Sequence, residues 1–443
     1  MAKKNIDMTQ GNLTRALIAF SIPLMLRGLL QQMYSWADAF IVGNIVGELG
    51  LAAIGASGVV SRLITMILVG FTGGLTILAA QIFGRGEKYR LTALIAAFAP
   101  IFGGIAAAAA LILFAAARPM LTLYDTPANI FEMSVGYLRW GMLGTPFMAV
   151  YNVYSAVLRG IGDSKAPFWA ITISSVGNIL FDLLFVGVFA WGASGAALAT
   201  SLSQAIMTVY IVVYTVQRYP ELRFSLRGLV IDRETVREGI RFGLPMAIQQ
   251  SINSVGQMAL QGFQNSFGSA TVAAISTAYR VDSVMLLPVF NMSQSVATAV
   301  GQNVGTGNKE RVRESLRVGL RLLGSVSLVL TIIVVWIGGK MVAIFGVSQE
   351  AVAIATRFFR ILAPFYVAVG LGNTYASYLK GLGDMKFTSA VHIGMLGLRV
   401  AASYAIRPYC GNMAIAWAEV LVWAIEPIIW LVRTRHLERK HNL

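Results

Sequence analysis

Apolar segments of about 20 residues recur along the whole chain, and each is long enough to cross the hydrocarbon core of a bilayer. No other feature limits the fold so strongly. Of the 443 residues, 56% are hydrophobic and 12% charged. A soluble domain carries about twice that share of charge. The expected fold class is therefore an all-α polytopic membrane protein. Twelve transmembrane helices are expected, at 14–40, 50–80, 90–117, 134–158, 166–190, 194–217, 236–263, 271–303, 313–344, 353–379, 387–407 and 412–433. The polar start MAKKNIDMTQGNLTR lacks the layout of a cleavable signal, so the first span is expected to be retained.

The net charge of +15 would point to nucleic acid in a soluble protein. Here the basic residues fall in alternate loops, as the positive-inside rule requires. Lys3, Lys4 and Arg15 form one group, Arg85, Lys88 and Arg90 the next, and six arginines from Arg218 to Arg241 a third. This pattern places both termini in the cytoplasm and the protein in the cytoplasmic (inner) membrane, with the lipid bilayer as its surroundings and no nucleic-acid partner. A monomer is expected. The single cysteine, Cys410, excludes an internal disulfide, and His392, His436 and His441 are too scattered for a metal cluster. No nucleophile–base constellation or phosphate-binding glycine loop is present, so neither an enzyme nor a bound cofactor is expected.

The chain is duplicated. VYSAVLRGIGDSKAP (153–167) matches NTYASYLKGLGDMKFT (373–388) at an offset of 221, pairing Tyr154 with Tyr375, Gly160 with Gly381 and Asp163 with Asp384. The same offset pairs Gln81, Gly84 and Gly86 with Gln302, Gly305 and Gly307, and an offset of 222 pairs Phe20 and Pro23 with Phe242 and Pro245. Three segments at a nearly constant offset define two six-helix lobes of like orientation. The N-lobe is expected at 1–217, a cytoplasmic linker at 218–235 and the C-lobe at 236–443. The matched glycine loops are read as turn chemistry.

Within the apolar spans, Ser175, Asn178 and Asp182 share one helical face. No Lys or Arg lies between Lys165 and Arg218. A lone carboxylate at mid-membrane costs roughly 2.5–3.5 kcal/mol and needs a partner charge, a cation, a proton or water. In the first span Gln31, Tyr34 and Asp38 form a second polar stripe, and Pro23 is expected to bend or locally break the helix. Arg27 is eleven residues from Asp38, too far for a direct pair. Two carboxylates without a local cation are suited to taking up and releasing a proton or Na+.

These residues resemble the multidrug and toxic compound extrusion (MATE) transporters, in the branch called DinF-like. The resemblance rests on Pro23 with Asp38, Asn178-x-x-x-Asp182, Gly195–Thr200, GQNVGTGNKER and RGIGDSK, and spans nearly the whole chain. It implies a cation site at Asp38, Asn178, Asp182 and Thr200, loaded by H+ or Na+, the coupling ion and the one metal expected. Loading would bend the first span at Pro23 as a hinge. It further implies a substrate-binding cavity beside that site, at Gln31, Tyr34, Asn152 and Ser175, and antiport of amphiphilic, often cationic, small molecules. Other branches carry acids on spans 7 and 10, where this chain has Gln249, Gln250 and Asn253 and no acid. Through the repeat, Asn178 maps to Arg399 and Thr200 to Glu419. These two are expected to form a C-lobe ion pair and make that lobe an inert copy. Two alternatives are a lipid-linked oligosaccharide flippase and a non-transporting membrane scaffold.

Overall fold

The computed structural model describes residues 5–223 and 232–441. Lys3, Lys4, Arg227 and the middle of the expected linker lie outside them. Every regular element among the described residues is helical. This is what long apolar runs require, since only intra-segment bonds can satisfy the backbone in lipid. The first repeat gives α1 (Leu13–Ile45), α2 (Glu48–Arg85), α3 (Lys88–Leu123), α4 (Ala128–Met142), α5 (Thr145–Gly160), α6 (Lys165–Asp182) and α7 (Gly192–Arg218). The second gives α8 (Arg233–Asn265), α9 (Ser269–Met285), α10 (Leu287–Gly305), α11 (Lys309–Ala343), α12 (Gln349–Leu362), α13 (Tyr366–Gly381), α14 (Met385–Ala405), α15 (Arg407–Cys410) and α16 (Ala414–His441).

Four helical columns are broken, α4–α5, α9–α10, α12–α13 and α15–α16, and joining them leaves twelve. A proline stands in the first turn after three of the breaks, namely Pro146, Pro288 and Pro364, while at the fourth Pro408 lies within the short α15 itself. Proline lacks the N–H that would continue the ladder but starts a helix well. Eight described segments, with α12–α13 and α15–α16 each taken as one, are long and apolar enough to cross a bilayer, or nine with the α9–α10 pair, bent by 44°, taken as one span. Pro23 behaves differently from the expected break, because α1 runs through it without interruption. Membrane helices tolerate this where neighbouring groups re-satisfy the freed carbonyl.

The chain packs as two compact units. One is Met1–Ile6 with Leu26–Ala247, the other Asp7–Met25 with Ile248–Leu443. The expected halves differ from these units at two helices. The start of α1 packs in the second unit, where Ser21 Oγ lies 2.9 Å from Ser295 Oγ. The start of α8 packs in the first, where Arg90 donates to Glu238 at 2.7 Å. Each helix changes unit two residues after its proline, at Met25/Leu26 after Pro23 and at Ala247/Ile248 after Pro245.

The duplication extends to atomic packing. A Cβ on Gly160 would lie 2.6 Å from Ala79 Cβ and 2.8 Å from the Thr76 carbonyl. A Cβ on Gly381 would lie 2.5 Å from Val300 Cβ and 2.8 Å from the Ala297 carbonyl. The contacted positions are themselves repeat mates. Gly162 and Gly383 have φ of 91° and 94°, so the turn reading holds for them, while Gly160 and Gly381 serve helix contact instead. Asp163 anchors its loop by accepting from the Lys165 and Ala166 N–H groups and from the Tyr214 (3.0 Å) and Tyr219 (2.8 Å) hydroxyls. Burial, then the adjacent carboxylate, hold the Tyr219 hydroxyl well above its ordinary pKa. Its mate Asp384 instead accepts from Arg433 Nε at 2.8 Å.

Candidate functional site

The site in the first unit is built from α1, α6 and α7. α6 ends at Asp182 and passes directly into a π-helical turn, Leu183–Val188. Such turns interrupt the regular ladder and are frequent where a side chain is functional. Asn178 and Asp182 are fully buried. With its amide oriented to satisfy both neighbours, Asn178 donates to Asp182 Oδ2 at 2.8 Å and accepts from the Thr200 N–H at 3.2 Å. Tyr34 Oη lies 3.2 Å from Thr200 Oγ1. The carboxyl groups of Asp38 and Asp182 are within hydrogen-bonding reach of one another. The Oδ1 atoms of both are buried without a partner.

The structure therefore brings together Asp38, Asn178, Asp182 and Thr200, with Tyr34 at the edge. Two carboxyl groups in contact require a shared proton or a cation, because two adjacent buried negative charges are mutually repulsive and poorly solvated. The carboxyls of Asp38 and Asp182 and the hydroxyls of Thr200 and Tyr34 are oxygen donors, so the group fits H+ or a hard cation such as Na+. The remaining expected residues are not linked to this group by any described contact. Gln31 is exposed, and its side chain makes no hydrogen bond among the described residues. Asn152 is buried and donates to the Met148 carbonyl of its own helix at 2.8 Å. Ser175 is half-buried. Arg27 forms no ion pair among the described residues.

Sequence reasoning passed over Tyr137 of α4, which lies within electrostatic reach of both Asp38 and Asp182. Nothing in its local pattern set it apart from other interfacial tyrosines. In the second unit, Arg399 donates to Glu419 Oε2 at 2.8 Å and to Tyr279 Oη at 2.6 Å. Tyr279 in turn donates to Glu419 at 2.9 Å, closing a three-membered network. Asp282 was also missed. It is buried on α9 and accepts from the Tyr366 hydroxyl.

A helical membrane protein with two repeat-related sets of spans and a paired carboxyl site belongs to the class of polytopic transporters. A family model, MatE, matches residues 23–184 and 245–405, one match for each repeat, and the chain belongs to this family of MATE transporters. It is 29% identical over 383 residues to the probable multidrug resistance protein YpnP of Bacillus subtilis (strain 168), covering 86% of this chain and 85% of that one. It is 21% identical over 429 residues to the multidrug export protein MepA of Staphylococcus aureus (strain MSSA476), covering 95% and 94%. Among solved structures, an outward-facing multidrug resistance MATE family transporter of the MOP superfamily superposes with a TM-score of 0.90 at 21% identity, covering 99% of this chain and 100% of that one. A MOP superfamily transporter from Pyrococcus furiosus Vc1, described as having a binding pocket of reverse polarity, also gives 0.90, at 22% identity and 99% coverage of both.

Proposed function

We propose that this chain is a cation-coupled antiporter that exports amphiphilic, often cationic, organic compounds by alternating access. It would act in the cytoplasmic membrane with both termini in the cytoplasm. The observation that carries the reading is the contact between Asp38 on α1 and Asp182 on α6, with an unpartnered oxygen on each. A carboxyl pair that joins two helices only when loaded ties the position of α1 to the presence of the ion. Pro23 is the place where α1 can yield, and α1 changes packing unit two residues later. The relatives described as a probable multidrug resistance protein and a multidrug export protein support the export direction and the breadth of substrate. Gln31, Tyr34, Asn152 and Ser175 are the side chains proposed to line the substrate path beside the pair.

Between the two ions, the ligand set favours H+. The Asn178 amide turns its N–H toward Asp182 and its oxygen toward the Thr200 N–H, which leaves one lone pair of that oxygen for a metal ion. Two carboxyls and two hydroxyls are a thin ligand set for Na+ and a sufficient one for a proton. Export of a fluorescent organic cation, measured in cells making Asp38→Asn or Asp182→Asn, tests the reading. The expected result is loss of gradient-dependent export. Undiminished export by both variants would sink it.

A further inference from the structure

Three arginines stand on one face of α11. Arg313, Arg317 and Arg321 are spaced i, i+4 and i+8, and all three are exposed. Successive members are about 6 Å apart at Cβ, a distance at which like charges repel along a helix. None of the three forms an ion pair among the described residues. Glu314, the acid one turn before Arg317, pairs instead with Arg311 at 3.6 Å. Arg313 shares the Tyr378 hydroxyl with Glu438 of α16, so it has an acid in its surroundings. Arg317 and Arg321 keep charges that no described contact compensates.

The orientation of α11 in a membrane does not need this stripe. Its repeat mate α3 starts in the same way, with Lys88 and Arg90 where α11 has Lys309 and Arg311. At the positions of the three arginines α3 has Thr92, Ala96 and Pro100. One copy thus meets the positive-inside pattern with the first two basic residues alone. In the other copy the charge continues two turns further along one face.

That face then turns apolar. Leu328 and Ile332 follow on the same side and are 53% and 54% exposed. α11 has 35 residues, about fifteen more than the roughly 20 that cross the hydrocarbon core. Counted back from the helix end at Ala343, the core begins just past Arg321. Arg321 therefore stands at the edge of the headgroup layer, with Arg317 and Arg313 further out and Leu328 and Ile332 among the acyl chains of the same leaflet. A guanidinium fork matches phosphate oxygens, and two forks one turn apart can close on a single phosphate. A soluble anion would meet the arginines but leave the apolar face unused. A choline headgroup would bring its own cation toward the uncompensated guanidiniums.

We infer that this face of α11 binds one anionic phospholipid, with the headgroup phosphate held by Arg317 and Arg321, Arg313 at the rim, and an acyl chain laid along Leu328 and Ile332. The inference is independent of the export reading, since it concerns the lipid around the protein and not its cargo.

The test titrates the purified full-length protein in neutral detergent with dioleoyl phosphatidylglycerol and counts bound lipid by native mass spectrometry. One saturable site is expected, with dioleoyl phosphatidylcholine bound at least tenfold more weakly. Arg317→Gln and Arg321→Gln should each raise Kd about fivefold, the loss expected for one basic residue at an anionic lipid surface, and the double variant more than tenfold. Both side chains are exposed, so the substitutions leave the fold intact. Arg237→Gln removes the same charge from the exposed start of α8, outside this face, and should leave Kd within about twofold. Absence of a saturable site would overturn the inference, as would equal affinity for the two lipids. An equal loss in Arg237→Gln would show that net charge alone attracts the lipid and would overturn it too. So would displacement of the bound lipid by millimolar inorganic phosphate, which would mark a site for the bare anion.

Discussion

Asp38 and Asp182 of the first unit meet with no basic side chain among the described contacts, whereas Arg399 and Glu419 of the second sit 2.8 Å apart. Arg399 and Glu419 occupy the repeat positions of Asn178 and Thr200. Elsewhere the two units keep matched packing, as in the backbone approaches at Gly160 and Gly381. What diverged is where charge is compensated. A guanidinium is permanent compensation, so the second unit cannot empty and refill that position. The first unit has no such partner among its described contacts, and the proposal is that its compensation comes and goes. The lesson is that duplicated helices can hold one frame while one copy brings two carboxyls together and the other fixes the matching place with an ion pair.

The sharpest way to break this contrast is to neutralise one member of each pair. Asp182→Asn should reduce export of an organic cation in cells to background while the purified protein still elutes as a single folded species. Arg399→Met should do the reverse kind of damage, leaving Glu419 buried without its partner. It should destabilise the protein by about 3–5 kcal/mol in thermal unfolding, and Arg399→Met with Glu419→Leu should recover most of that loss. A smaller effect tests the shared frame. Gly160→Ala and Gly381→Ala should each cost about 1–3 kcal/mol, and by similar amounts, because each new methyl meets a carbonyl and a Cβ at the same geometry. A large inequality between them would mean that the repeats pack differently. The smallest effect is expected for Thr200→Val, which removes the Tyr34 contact at 3.2 Å and keeps both carboxyls. Export should fall by a few-fold, consistent with a lost neutral hydrogen bond of about 1 kcal/mol.

Sequence reasoning reached the twelve helical columns and the duplication, because both are written in local patterns of hydropathy and in a constant offset. It also reached the meeting of Asp38, Asn178, Asp182 and Thr200, through the spacing of Asn178 and Asp182 on one face and through resemblance. The exchange of α1 and α8 between the units was not legible. Which neighbour a helix half packs against is decided by long-range contacts such as Gly74 against the Phe242 backbone, not by its own pattern. The π-helical turn after Asp182 was hidden for the same reason. Asp282 was visible as an ionisable residue inside a span. It was missed because its repeat position in the first half is Ser61, so a search for divergence at known site positions passed over a residue with no counterpart there. Tyr137 had no distinguishing pattern at all.

The central claim is that the carboxyl pair of the first unit couples an ion gradient to the movement of an organic cation. The most direct measurement reconstitutes the purified chain in liposomes and follows ethidium movement while a pH gradient and a Na+ gradient are imposed separately. The account predicts that the pH gradient drives ethidium transport by the wild type, that the Na+ gradient alone does not, and that Asp182→Asn responds to neither. Gradient-driven transport by Asp182→Asn at the wild-type rate would contradict it.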